Sequence, residues 1–220
     1  MVLFLTILSD MHSASLVHIT PDTEKFIAYM ARVSNPDNQN NPDSKGLIRY
    51  LITHKHWSPF EMANMCVEIS TTRSIAAQIL RHRSFSFQEF STRYAAVISP
   101  AVTPKLRRQD TKNRQNSIDD MSESVTADFS SRIDEVFQAS AGLYHDMLQA
   151  GIAKECAREV LPLATPTKLY MNGSIRSWLH YLDLRCGNGT QLEHRQVADS
   201  ILEILYKEVP NVCVAMWGEG

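Results

Sequence analysis

The sequence contains no Gly-x-Gly-x-x-Gly and no Gly-x4-Gly-Lys-Ser/Thr. A nucleotide cofactor, where one binds, is therefore not held in a Rossmann or P-loop manner. Its four cysteines, Cys66, Cys156, Cys186 and Cys213, contain no Cys-x-x-Cys pair. That disfavours a zinc site or disulfide framework and points to a reducing cytoplasm. No apolar run approaches the roughly 20 residues of a membrane span, so no membrane partner is expected. Internal repeats and low-complexity tracts are also missing. Charge nearly cancels, with 22 Lys+Arg against 24 Asp+Glu leaving −2. Any basic site must be local, which weighs against broad nucleic-acid binding.

What is present is a chain of 220 residues, 44% hydrophobic and 21% charged, ample for a buried core. Residues 2–8 are apolar but lack a basic leader and a small-residue cleavage site, so they read as a first buried strand rather than a secretory signal. A second strand is expected at 15–20, closed by Pro21, and a helix at 22–33 with Thr or Asp as its cap. Residues 35–43, with four asparagines and two prolines, form a loop. A helix at 44–54 has Leu47, Ile48, Leu51 and Ile52 inward. Residues 56–61 make a turn around Pro59, and 65–70 a strand with Val67 and Ile69 on one face.

The spacing of Ile75, Ala76, Ile79 and Leu80 predicts a helix over 71–83, with Gln78 and Arg81 sharing another face. Residues 84–94 have no helical period and read as an ordered loop. Residues 100–124 are a polar excursion. The longest helix is expected at 125–151, with Phe129, Ile133, Phe137 and Leu148 inward. A short helix at 153–160, a strand at 165–171 and helices at 174–185 and 191–208 follow. Glycines at 187 and 189 suit the turn between the last two.

The densest chemistry is Arg81-His-Arg-Ser-Phe-Ser-Phe-Gln-Glu-Phe-Ser-Thr-Arg-Tyr94. Three guanidinium forks match phosphate oxygens two at a time, so this is an anion site. Phe85, Phe87, Phe90 and Tyr94 interleave as apolar anchors, which a purely solvated face would not need. Continued as a helix, Arg83 would turn back toward the apolar side. Either the helix ends there, or an anion or carboxylate holds it.

Other features read more plainly. His54-x-His56 has no Asp or Glu at a recognised ligand spacing, so no metal is expected. Cys156 and Cys186 could be nucleophiles, yet a lone cysteine is more often a small hydrophobe. The basic stretch 107–114 reads as an exposed loop, and Arg158 and Arg185 as cations at helix C-termini. On chemistry alone three functions stay open: an enzyme, a nucleotide- or RNA-binding module, and a metal hydrolase built on His54 and His56.

Arg81-His82-Arg83, followed by seven residues and Ser91, resembles the signature of the flavin-dependent thymidylate synthases. Ala31-Arg32-Val33-Ser34, His56-x-Ser58-Pro59-Phe60-Glu61, Gln78, Ser91-x-Arg93-Tyr94, Arg158-x-Val160-Leu161-Pro162-Leu163, Arg176-Ser177 and the helix ending at Arg185 resemble that family's segments in the same order. The resemblance runs from about residue 28 to residue 205.

The resemblance implies an α/β fold of the α+β type: one mixed domain over residues 1–220, with a small antiparallel sheet and flanking helices, not Rossmann. It implies a cytoplasmic homotetramer that binds FAD where subunits meet and methylates dUMP to dTMP. Methylenetetrahydrofolate would give the carbon and NADPH the reducing equivalents. Gln78, Arg81, Glu89, Ser91, Arg93, Arg158 and Arg185 fall at the nucleotide. His56, Ser58, Arg81, His82, Arg83, Glu89, Ser174, Arg176 and His180 fall at the flavin. Arg185 is implied to pair with the uracil edge, and Ser91 to be a substrate ligand, there being no enzyme nucleophile. The sequence departs from the family's pattern at Gln88 and Ser174, where asparagine is common, and at residues 186–190, where some members carry a histidine.

Overall fold

The computed structural model describes residues 11–97 and 99–219; the strand expected at 2–8 lies outside them. Four antiparallel strands, β1 (Ser13–Ile19), β2 (Asn64–Thr72), β3 (Ser86–Glu89) and β6 (Pro166–Ser174), form a sheet in the order β1-β2-β6-β3. Its centre follows from period-2 patterning. Met65, Val67 and Ile69 of β2 face Gly173, Met171 and Leu169 of β6 across the ladder, and these large side chains are all fully buried. The opposite face is polar, where Glu68 accepts from Tyr170 Oη at 2.7 Å and pairs with Lys168. One face thus supplies core and the other meets solvent.

Eight helices flank the sheet among the described residues. They are α1 (Thr23–Ala31), α2 (Lys45–Thr53), α3 (Arg73–Ile79), α4 (Glu123–Gln149), α5 (Lys154–Ala157), α6 (Ile175–Arg185), α7 (Leu192–Glu208) and α8 (Pro210–Trp217). The α6 stripe of Ile175, Trp178, Leu179 and Leu182 and the α7 stripe of Val197, Ala198, Ile201 and Leu205 join one core with the sheet. Trp178 is fully buried and its indole N–H is satisfied by the Met65 carbonyl at 3.0 Å, so neither its area nor its donor is wasted. Ser174 caps α6 by accepting from the Ser177 N–H. Phe85 packs over Gly173, where a Cβ would come within 2.5 Å of its ring.

The mixed α/β architecture is the one expected, with several local differences. Residues 84–94 are not all loop, because 86–89 form edge strand β3 against β6. The helix expected over 71–83 spans only 73–79. Thr71 and Thr72 stay in β2, and Leu80 is exposed rather than in the inner stripe. The excursion at 100–124 carries a two-residue ladder, β4 (Arg108–Gln109) with β5 (Ser117–Ile118). Phe129 of α4 is exposed, and only Tyr144 of that 27-residue helix is fully buried. The short helix at 153–160 divides into α5 and a 3-10 turn at Arg158–Val160.

Two features had no counterpart in the patterning. Helix α8 is apolar nearly all round, and the Glu24 carboxylate caps its start by accepting from the N–H groups of Asn211 and Val212. The buried Arg32 donates to the carbonyls of Asn41 and Asp43, tying down the 35–43 loop.

Candidate active site

Three secondary-structure ends bring the first group of candidate residues together. Helix α3 stops at Ile79, and the chain turns sharply so that the His82 N–H reaches the Ile79 carbonyl. His82 thereby points at the last turn of α6, where Arg185 Nε donates to His82 Nε2 at 2.9 Å. Tyr181, one turn earlier on α6, packs edge-on to the His82 ring. Its hydroxyl meets Nε2 of His194, on α7, at 3.0 Å. His194 Nδ1 lies 3.4 Å from Gln78 Oε1, and Gln78 Nε2 donates to Gln191 Oε1 at 2.7 Å. Gln191 in turn donates to Glu193, which takes both arms of Arg107 at 2.6 and 3.0 Å.

Electrostatics in this group are uniform. Burial, then the Arg185 and Arg81 charges, lower His82 to about 4. Burial, then Arg185, His82 and Arg81, lower His194 to about 3. Both imidazoles are therefore neutral acceptor-donors at neutral pH. Burial likewise keeps the Tyr181 phenol far above its usual range, as a donor rather than a phenolate. For Glu193 burial works upward, but Arg107, its own N–H and Gln191 together hold the carboxyl below its usual range.

A second group gathers at the other end of α6. Glu61, in the 3-10 turn Ser58–Glu61, accepts from Ser174 Oγ at 2.6 Å and from Arg176 Nη1 at 2.9 Å. His180 stands edge-on to Trp57, with ring centroids 5.2 Å apart. His56 and Ser58 are exposed beside them. Arg83 is exposed over the start of α6, and the adjacent Ser84 carbonyl accepts from Ser177 Oγ.

The third group lies at the start of β6. Glu89 accepts from Thr167 Oγ1 at 2.9 Å, with Arg73 4.0 Å away. Ser91 follows, and Arg93 pairs with Glu155 of α5, one turn before Arg158. Among the described residues Arg158 pairs only with Glu159. Strand β3 thus separates the two halves of the 81–94 motif. Among the described residues no hydrogen bond or ion pair joins one of these three groups to another.

Several sequence expectations change. Phe85 is buried and Phe87 half-buried, but Phe90 and Tyr94 are exposed, so only two of the four aromatics are anchors. The 107–114 stretch is not simply an exposed loop: Arg107 is largely buried against Glu193, and Arg108 pairs with Asp120. Those pairings engage two of the four cations of the stretch, while Lys112 and Arg114 stay exposed. Cys156 is exposed, whereas Cys186 is half-buried and burial, then Asp199, push its thiol up to about 12, unsuited to a nucleophile. Among the described residues no three His, Cys, Asp or Glu side chains are grouped to hold a metal.

Residues that sequence reasoning passed over are Tyr181, Gln191, His194, Glu193, Thr167 and Arg73; Arg107 figured there only as part of an exposed basic loop. Only Tyr181 carried a local signal, its i, i+4 spacing to Arg185. Glu61 was visible within its motif, but without a partner.

Comparison with known proteins adds the family. The profile described as "Thymidylate synthase complementing protein" matches residues 15–211. A probable flavin-dependent thymidylate synthase of Paramecium bursaria Chlorella virus 1 is 50% identical, over 93% of this chain and 98% of its own. The flavin-dependent thymidylate synthase of Synechocystis is 52% identical, over 88% and 89%. Among solved structures, the UMP/dUMP methylase PolB of Streptomyces cacaoi bound with 5-Br dUMP superimposes with a TM-score of 0.80 at 28% identity, covering 92% of this chain and 93% of that one.

Proposed function

The chain belongs to the flavin-dependent thymidylate synthases, and from that premise we propose that it methylates dUMP to dTMP, with carbon from methylenetetrahydrofolate and reducing equivalents from NADPH through bound FAD. The observation that carries the reading is the cluster of Arg81, His82 and Arg185. Burial, then the Arg185 and Arg81 guanidinium groups, keep the His82 imidazole neutral, and the two fixed cations are an excess of positive charge that an anionic ligand offsets.

Gln78, Arg81, Glu89, Ser91, Arg93, Arg158 and Arg185 would hold dUMP. Arg93 and Arg158 now pair with exposed carboxylates, contacts worth at most about 1 kcal/mol, so exchanging them for a phosphate is cheap. Arg185 spends Nε on His82 and keeps its other N–H groups for the uracil edge. A guanidinium there stabilises negative charge as the ring ionises at N3. Ser91 serves as a ligand, since no step needs an enzyme nucleophile.

The residues fit FAD. Neither Arg81 nor Arg83 has a hydrogen-bond or carboxylate partner for its guanidinium among the described residues, and a pyrophosphate is the anion that two such forks match. His56, Ser58, His82, Glu89, Ser174, Arg176 and His180 complete the set, with Glu61 orienting Ser174 and Arg176. Bound flavin supplies the hydride chemistry, while this chain supplies position, charge and exclusion of water.

We propose a homotetramer in which neighbouring copies complete each site, and an exposed apolar stripe supports it. On α4, Val125, Phe129, Val136 and Leu143 are exposed at spacings of four and seven, a stripe suited to a partner helix. We read residues 1–220 as one domain of a cytoplasmic enzyme. Among the described residues no helix is long and apolar enough to cross a membrane.

The test is chromatographic. The protein incubated with dUMP, methylenetetrahydrofolate and NADPH should form dTMP, omission of any one should abolish it, and removal of the bound FAD should abolish it until FAD is restored. No dTMP from the complete mixture would overturn the proposal.

A further inference from the structure

The hydrogen bonds between Arg107 and Tyr181 have only one consistent direction. Glu193 is ionised beside Arg107 and can only accept. Gln191 must therefore turn its NH2 toward Glu193, as its 2.9 Å contact records, which leaves its carbonyl facing Gln78. Gln78 then presents its own NH2 to Gln191 and its Oε1 to His194. A carbonyl oxygen facing Nδ1 requires the proton to be on Nδ1. Nε2 of His194 is thus bare and accepts from the Tyr181 hydroxyl. Reversing any one amide would set two acceptors or two donors face to face somewhere along the chain and forfeit a hydrogen bond there.

Of these residues Gln78 is the one read as a nucleotide ligand. It is half-buried, at the end of α3, and a primary amide offers two donors and two lone pairs. One N–H and one lone pair are taken by Gln191 and His194. The other N–H and the other lone pair remain, pointing in an order that the chain has already decided.

We propose that Arg107, Glu193, Gln191, His194 and Tyr181 act as positioning residues that fix which way the Gln78 amide faces the substrate. The excursion at 100–124, which supplies Arg107, thereby becomes part of substrate recognition without touching the substrate. His194 is fully buried and acts only through Gln78. The inference rests on the reading that Gln78 meets dUMP.

The experiment is a double-mutant cycle on the holoenzyme, with dUMP as the varied substrate. Gln78→Ala should raise KM for dUMP about five- to tenfold, the loss of one or two neutral hydrogen bonds. Glu193→Gln and His194→Leu should each raise it about fivefold on the same scale, with KM for NADPH unmoved. His194→Asn, whose amide N–H replaces Nδ1–H, should stay within about twofold of the parent. In the Gln78→Ala background, Glu193→Gln and His194→Leu should add nothing further. Gln191→Leu, at an exposed helix cap, gives the same comparison if the Glu193 variant does not fold.

Equal KM increases in both backgrounds would mean that these residues merely support the fold, and would overturn the proposal. Failure of His194→Asn to restore KM would also count against it. An unchanged KM for Gln78→Ala would instead remove the reading of Gln78 as a nucleotide ligand, and the inference with it.

Discussion

Arg185, the last residue of α6, donates its Nε to Nε2 of His82 across 2.9 Å. The contact makes His82 an acceptor, so its proton sits on Nδ1 and the ring is neutral. It also anchors the Arg185 guanidinium, whose terminal nitrogens have no hydrogen-bond partner among the described residues. A helix-end arginine that sequence alone reads as a dipole cap is thereby converted into an aimed donor.

Replacing Arg185 by alanine should leave flavin bound and reduce turnover by roughly 10²–10³-fold, the size of losing one preorganised donor to a developing anion. Lysine should not rescue it, because a single ammonium cannot hold His82 and a ligand together. Arg81→Ala should weaken both flavin retention and dUMP affinity. Flavin absorbance per protein and steady-state rates check this; equal flavin loss in the Arg185 and Arg81 variants would contradict the division of roles.

The two depressed imidazoles give stability a direction with pH. His82 at about 4 and His194 at about 3 in the folded state compare with about 6.5 when unfolded. Between these values the unfolded chain binds more protons, so stability is complete above about pH 6.5 and is lost as pH falls toward 4. Melting temperature should drop by roughly 4–8 °C between pH 7.5 and pH 5. His194→Leu should flatten part of that slope. A profile of the parent that is level over this range would show that neither ring is buried neutral.

Glu61 joins Ser174 to Arg176 at an exposed position. Glu61→Gln should therefore change melting temperature little but lower the fraction of FAD that survives gel filtration. Full flavin occupancy in this variant would separate Glu61 from the cofactor set.

Gly173 has no room for a side chain, since a Cβ would lie 2.5 Å from the Phe85 ring. Gly173→Ala should destabilise by about 1–3 kcal/mol through overpacking. Adding Phe85→Leu should recover part of the loss. Calorimetry of the two single variants and the double variant would decide; additive losses would mean that the Phe85 contact is not the cause.

The parts of the fold legible in sequence are those with long, clean periods. Strand β2 alternates Met65, Val67 and Ile69, and α6 repeats Ile175, Trp178, Leu179 and Leu182, so each declares its buried face. Strand β3 was not legible. Its four residues sit among Phe85 and Phe90, which blur the alternation, and its pairing depends on β6, some eighty residues later in the chain. Helix α8 escaped because it lacks a polar face to set a period.

The candidate site was legible as a set of residue types, since clustered arginines with few local carboxylates announce an anion. Its internal geometry was not. Arg107, Gln78, Tyr181 and His194 meet through four separate segments, and a hydrogen-bonded chain of that kind leaves no pattern in any one of them. Nor could spacing reveal that β3 divides the 81–94 motif between two ends of the sheet.

The central claim is that this chain moves reducing equivalents through a flavin to dUMP. Anaerobic absorbance of the purified protein near the flavin band tests it most directly. The account predicts a yellow protein that bleaches with NADPH and regains colour only when dUMP and methylenetetrahydrofolate are both added, with dTMP formed. A colourless protein that takes up no FAD, or a reduced flavin that stays bleached with both substrates present, would contradict it.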